Sequence, residues 1–161
     1  MMKLLRSFKY AGRGFLHCVR NERNFRIHIT AAMYALALGR ALDVSRSEWA
    51  ALILTIAVVL SAECMNTAIE NAVEITTKTP HPLARAAKDA AAGAVLVCAA
   101  ASLAVAGVVF WKPAEIAALV SQITDTPWRL VMIVASVLLS ALFVFYGGSK
   151  DRVSDNRTGK L

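Results

Sequence analysis

The pattern of hydrophobic and polar positions predicts one amphipathic helix followed by four apolar helices. Over residues 2–20, apolar side chains recur every three or four positions, and lysines and arginines occupy the opposite arc. This pattern is typical of an interfacial helix, which sinks its apolar face into the headgroup region and turns its basic face toward lipid phosphates. The apolar stretches that follow cover residues 27–42, 49–75, 90–111 and 128–148. We predict that each crosses a membrane, the short first one with tilt or with snorkelling of Arg40.

The composition also indicates a membrane protein. Of the 161 residues, 57% are apolar, compared with about 45–50% in ordinary soluble domains. The charged residues make up 18% of the chain and fall in clusters between long uncharged runs. The net charge of +7 is not accompanied by a nucleic-acid-binding motif, and the three widely spaced cysteines do not suggest a disulfide framework or a zinc site. We therefore predict an all-α integral membrane helical bundle.

The distribution of lysine and arginine predicts the orientation of this bundle. Seven of them lie before residue 27, three lie in or near the loop between the second and third apolar stretches, and four lie after residue 148. These segments should face the cytoplasm in a multi-pass membrane protein. The predicted organisation is an interfacial segment (1–26), a three-helix core (27–111), an outer connection with an additional helix (112–148) and a short polar tail that we expect to be disordered (149–161).

A polar stripe runs along the second apolar stretch. Its members are spaced three and four residues apart and share one helix face; they are Glu63, Asn66, Thr67, Glu70 and Glu74. An acidic side chain in a membrane helix costs about 2.5–3.5 kcal/mol, so such residues usually line an interior and mark a function. Because these acids crowd toward one membrane surface, they favour a surface reaction over transport. Mg²⁺ suits such a site, since it binds one or two carboxylates together with phosphate oxygens and water. The alternative is a polar seam that holds helices together.

Two further clusters lie on the same predicted side. Arg85, Lys88 and Asp89 open the third apolar stretch, where cations and the free amides of a helix start could attract phosphate. Arg85 and Lys88 could equally serve only to orient the protein. Glu22 stands alone among seven cations. It could be a metal ligand brought beside Glu70, or it could pair with Arg26 four residues later.

These segments together resemble the prokaryotic diacylglycerol kinase and undecaprenol kinase family. The resemblance rests on N-E-R-N-F-R-I-H at 21–28, E-C-M-N-T-A-I-E at 63–70 and A-K-D at 87–89, preceded by F-K-Y-A at 8–11. It covers roughly residues 3–111 in the family's order and spacing. It implies a small trimeric helical enzyme that transfers the γ-phosphoryl group of MgATP to a lipid alcohol at the cytoplasmic interface. The fourth span lies beyond the usual three-helix body of the family, where it could pack outside the core or alter the assembly. The resemblance also implies a location in the bacterial inner membrane.

The resemblance also implies roles for individual residues. Glu63 would be the general base on the lipid hydroxyl, with Asn66 beside it at the lipid substrate. Glu22 and Glu70 would hold Mg²⁺ on the ATP phosphates, and Lys88 would contact those phosphates. Such a site matches the demands of phosphoryl transfer, which needs positioning and charge neutralisation more than covalent catalysis. The residues that would contact the nucleotide are Tyr10, Glu22, Glu70, Lys88 and Asp89.

We predict a lipid kinase that makes undecaprenyl phosphate from undecaprenol, because the form of the 21–28 motif looks more like the undecaprenol kinases. Diacylglycerol is the alternative acceptor. An ion or proton translocator using Glu63 and Glu70 is an alternative of another class, but residues 50–60 of the same helix contain Thr55 as their one polar side chain. A third alternative is a membrane adaptor without catalysis. The expected partners are ATP, the lipid substrate, the bilayer and further copies of the chain, and no nucleic acid.

Overall fold

A computed structural model describes residues 2–76 and 79–148, and within these ranges it contains six helices and no strand. The prediction of an all-α fold is confirmed. The tail at 149–161 and Lys78 lie outside the described residues, so the expected disorder of the tail stays a prediction. The helices are α1 (Met2–Asn21), α2 (Arg23–Ala41), α3 (Arg46–Thr76), α4 (Pro82–Val109), α5 (Pro113–Thr124) and α6 (Pro127–Tyr146).

The amphipathic helix ends at a sharp corner, which we call the elbow and define as residues 17–26. The backbone of Glu22 is extended there, with φ −103° and ψ 114°, and this residue caps α2 without a side-chain capping bond. Phe25 is completely buried on the inner side of the elbow, and its ring meets that of Phe15 edge to face at 5.1 Å. Burial of such a ring contributes about 1.5–3 kcal/mol, so the elbow is a packed joint.

Three helices are long and apolar enough to cross a membrane, namely α3, α4 and α6. The predicted second, third and fourth spans therefore correspond to suitable helices. α2, which contains the first predicted span, is not among the three, and its 19 residues include Arg23, Arg26 and Arg40. α3 has 31 residues and is thus about 46 Å long, whereas the hydrocarbon core is about 30 Å thick. One end of α3 can therefore project beyond the hydrocarbon, and this end carries Glu70 and Glu74.

The helices pair as antiparallel neighbours around α3. α3 packs most extensively against α4, and α2 packs along another side of α3. Far from the elbow, a buried cluster of Leu42, Leu52 and Val109 closes the bundle, and Lys112 bonds Glu48 across it at 3.3 Å. At the opposite end, α1, the start of α2, the end of α3 and the start of α4 meet. We call this the site end.

One helix was not expected, and one helix begins earlier than expected. α5 occupies part of the predicted outer connection, where its signals are Pro113 at the first position and Glu115 in the first turn. α4 begins at Pro82, about two turns before the predicted start at residue 90. The expectation that free amides of a helix start lie beside Lys88 is therefore wrong. His81 caps the real start and accepts a hydrogen bond from the Leu83 amide at 3.2 Å.

Candidate functional site

The acidic stripe of α3 faces the interior of the bundle, as its spacing predicted. Glu63 retains 2% of its exposure and Thr67 retains 3%, so both are buried within the bundle. The Thr67 hydroxyl donates to the Glu63 carbonyl at 3.1 Å, which satisfies it within the helix. Glu70 is half-buried one turn later, and Glu74 is exposed. The stripe thus runs from a closed interior to an open surface.

Glu22 projects from the elbow toward this stripe. The carboxylates of Glu22, Glu63 and Glu70 lie close enough to repel one another. Burial raises the pKa of Glu22, and the charge of Glu70 raises it further, while His17 and Arg26 oppose this shift. The structure therefore brings the two predicted metal ligands together from separate helices. Carboxylates that lie close enough to repel one another are common at metal-binding and catalytic sites, where a bound cation or a proton offsets the repulsion.

Asn66 lies between the buried and the exposed carboxylates. Its Nδ2 donates to Oε1 of Glu70 at 3.2 Å, which leaves Oδ1 directed away from that pair. Oδ1 is the one buried side-chain oxygen or nitrogen without a hydrogen-bond partner among the described residues. Such an atom normally finds a donor, because leaving it unsatisfied costs about 1–3 kcal/mol. It is positioned to accept a hydrogen bond from a ligand.

An open cleft of about 810 Å³ lies between the end of α3 and the start of α4. Lys88 lines it and bonds Oε1 of Glu74 at 3.2 Å, so the lysine faces α3. Asp89 also lines the cleft and pairs with Arg85 at 3.8 Å. Glu74 and Glu22 interact electrostatically, which links this cleft to the elbow. The cleft is large enough for a nucleotide-sized ligand.

Tyr10 is the predicted site residue that the structure does not bring to the others. Its side chain is 62% exposed on α1, and its ring lies 6.0 Å from the guanidinium of Arg13. No contact described in the structure joins it to the carboxylates. Conversely, His17 is an electrostatic neighbour of Glu22 that the sequence patterns did not single out. Asn21 bonds its ring at 3.0 Å, and the four-residue spacing of these two residues is the sequence signal for that contact.

The two interpretations of Glu22 are separated by the position of Arg26. The Arg26 guanidinium bonds the carbonyl oxygens of Val19, Arg20 and Val144, and no Glu22–Arg26 ion pair occurs in the part of the chain that the structure describes. Glu22 therefore keeps its carboxylate available. This arrangement favours the metal-ligand interpretation over the salt-bridge one.

The oxygen ligands at the site end fit Mg²⁺. Within residues 2–76 and 79–148 there is no group of three or more histidines, cysteines or acids that could hold a metal by itself. Mg²⁺ does not require one, since it binds one or two carboxylates and completes its octahedral shell with water and substrate phosphates. Glu22 and Glu70 supply such a pair beside the cleft.

Comparison with known proteins agrees with this chemistry. The chain is 44% identical over 108 residues to undecaprenol kinase of Bacillus subtilis, an alignment that covers 67% of this chain and 88% of the relative. It is 39% identical over 111 residues to diacylglycerol kinase of Synechocystis, an alignment that covers 68% of this chain and 63% of the relative. It is 33% identical over 97 residues to diacylglycerol kinase of Pseudomonas aeruginosa, which covers 60% of this chain and 79% of the relative. No solved structure matches. Because residues 9–110 match the family described as prokaryotic diacylglycerol kinase, the chain belongs to that family of lipid kinases.

Proposed function

We propose that this lipid kinase phosphorylates undecaprenol at the cytoplasmic surface of the bacterial inner membrane, with Mg²⁺ bound to the ATP phosphates. The observation that carries the proposal is the convergence of Glu22, Glu63 and Glu70 beside the Lys88 cleft. Undecaprenol is favoured over diacylglycerol by the form of the 21–28 motif and by the identity of 44% to an undecaprenol kinase. Diacylglycerol remains the second candidate, because other relatives are diacylglycerol kinases.

In this mechanism the residues at the buried end of the stripe act on the lipid hydroxyl. Glu63 accepts the proton of the lipid hydroxyl as its oxygen attacks the γ-phosphorus of ATP, and ADP leaves with the bridging oxygen. Asn66 lies beside the lipid hydroxyl and holds Glu70 in place through its Nδ2, while the single hydroxyl proton goes to Glu63. A general base of this kind contributes about 10²- to 10⁴-fold to the rate.

The exposed end of the stripe handles the nucleotide. Glu22 and Glu70 would hold the metal, which would supply neutralisation of the phosphate charge. Lys88 exchanges its bond to Glu74 for the phosphates, while Asp89 supports the nucleotide region. The ion or proton translocator loses support, since family membership identifies a kinase. Further copies of the chain would complete a homo-oligomer, a trimer as the family resemblance implies.

The test is transfer of radiolabelled phosphate from ATP to each lipid by the purified protein. We expect transfer to undecaprenol with a higher kcat/KM than to diacylglycerol; the reverse order would reassign the acceptor, and no transfer to either would refute the proposal. Glu63→Gln should lower kcat by about 100-fold or more and retain nucleotide binding. Glu115→Gln on α5 is the matched control, because it removes an exposed carboxylate far from the site end.

A further inference from the structure

The additional helix α6 is fixed to α2 by polar bonds as well as by apolar contact. The Tyr34 hydroxyl of α2 lies 3.1 Å from the hydroxyls of both Ser136 and Ser140 on α6. Ser136 also donates to the carbonyl of Ile133 at 2.7 Å, so Tyr34 donates to Ser136 and accepts from Ser140. Hydrogen bonds between helices in a membrane add about 0.6 kcal/mol each on average and restrict how the helices can pack. α6 therefore has one defined position on α2.

The end of α6 is held at the elbow by Arg26. This side chain is 5% exposed, and its Nε donates to the Val144 carbonyl at 3.2 Å. Its Nη1 donates to the carbonyls of Val19 and Arg20 at 3.0 and 3.1 Å. All three carbonyls lie in the last turns of α6 and α1, where carbonyls lack partners within their own helix and the helix dipole is negative. One buried guanidinium thus joins the ends of two helices to the first turn of a third.

Gly148 shows how closely the segment after α6 approaches the elbow. A Cβ atom at this position would lie 2.7 Å from the Arg20 carbonyl oxygen and 2.8 Å from Nη1 of Arg26. Both distances are shorter than a side chain tolerates, and the first involves backbone. Any other residue would therefore push this segment away from Arg26.

We infer that α6 braces the elbow and that Arg26 is a positioning residue for Glu22. Arg26 lies on the first turn of α2, and its backbone amide bonds the Glu22 carbonyl at 3.3 Å, so fixing Arg26 fixes the position from which Glu22 reaches Glu70. α6 lies beyond residues 9–110, the part of the chain that matches the family. This inference rests on the proposed role of Glu22 as a ligand of Mg²⁺.

The test uses the full chain with Ser136→Ala and Ser140→Ala combined, since these residues lie on α6 away from the site end. Loosening α6 should raise the KM for Mg²⁺ at least 3-fold and change kcat at saturating Mg²⁺ by less than 2-fold. The matched control is Ser102→Ala with Ser121→Ala, whose hydroxyls bond carbonyls of their own helices. An unchanged KM for Mg²⁺, or a fall in kcat alone, would overturn the inference.

A second pair of variants tests the inference independently if the serine variants fold poorly. Gly148→Val should raise the KM for Mg²⁺, whereas Gly107→Val should not, because a Cβ there meets nothing within 4 Å. Equal effects of the two valines would also overturn the inference. Glu22→Gln in the same assay separates the two proposals. If it raises the KM for Mg²⁺ and the α6 variants do not, the brace fails and the metal site stands; if it has no effect, the metal assignment itself fails.

Discussion

If Glu22 holds the metal as proposed, this residue shows, at the residue scale, a conflict between stability and function. Burial and the charge of Glu70 raise the pKa of this carboxyl in the fold. A raised pKa means that folding favours the neutral form, so stability is greatest below the unfolded pKa and is lost as the pH rises through the folded pKa. In its ionised form, Glu22 therefore destabilises the protein until a cation binds.

We accordingly predict that Glu22→Gln melts at a higher temperature than the wild type at pH 8 without Mg²⁺, and that this difference shrinks toward pH 5. Thermal scans in detergent at several pH values would measure it. Mg²⁺ with a nucleotide should stabilise the wild type, by about 2.7 kcal/mol at 100 times Kd, and should stabilise the variant much less. A variant that melts lower than the wild type at pH 8 would contradict the assignment of Glu22 as an uncompensated metal ligand.

The residues of the acidic stripe were predictable, but their hydrogen-bond partners were not. Helical spacing alone places Glu63, Asn66 and Glu70 on one face, and the structure confirms that this face turns inward. The partners of Arg26 could not be predicted in this way. Glu22, four residues away, was the local candidate, whereas one of the actual partners is the carbonyl of Val144 on α6. Periodicity describes one helix at a time and carries no information about contacts across 118 positions.

At the scale of elements, the packing of α3 against α4 gives the two cations near the start of α4 different partners. Lys88 faces α3 and bonds Glu74, whereas Arg85 pairs with Asp89 on its own helix. If Lys88 contacts phosphate, Lys88→Gln should raise the KM for ATP by about 10-fold or more, since a hydrogen bond to a charged group is worth about 1.5–3 kcal/mol. Arg85 lines the same cleft but pairs with Asp89, so Arg85→Gln should have a smaller effect. Arg46→Gln at the start of α3, away from the cleft, is the matched control and should change this KM less than 2-fold. If Lys88→Gln has no larger effect than Arg46→Gln, Lys88 does not contact phosphate.

Element boundaries were harder to predict than the existence of the elements. The start of α4 was placed too late because the prediction followed the apolar run, whereas the helix begins with Pro82 and extends through the charged residues before that run. α5 was missed because it is too short to span a membrane and its segment was assigned as a connection. Proline at the first helical position and an acid in the first turn mark its start in the sequence.

On the scale of the whole molecule, the candidate site lies where separate helices end. Glu22 comes from the elbow, the stripe from the end of α3 and Lys88 from the start of α4, so no single segment contains the site. Function then depends on this end facing the compartment that contains ATP. The far end carries the Glu48–Lys112 pair and α5, and it has no role in the proposed chemistry.

Because the proposed chemistry lies at the site end, we predict that this end faces the cytoplasm and that α5 faces the other side of the membrane. In a variant with its three cysteines replaced, we expect Ser121→Cys on α5 to react with a membrane-impermeant thiol reagent in intact spheroplasts. Thr79→Cys, in the loop between α3 and α4, should react only after the membrane is permeabilised. Both positions are exposed, so accessibility within the fold does not distinguish them. The opposite pattern would place Glu70 and Lys88 away from cytoplasmic ATP, and a kinase with its nucleotide cleft on that side would have no phosphoryl donor.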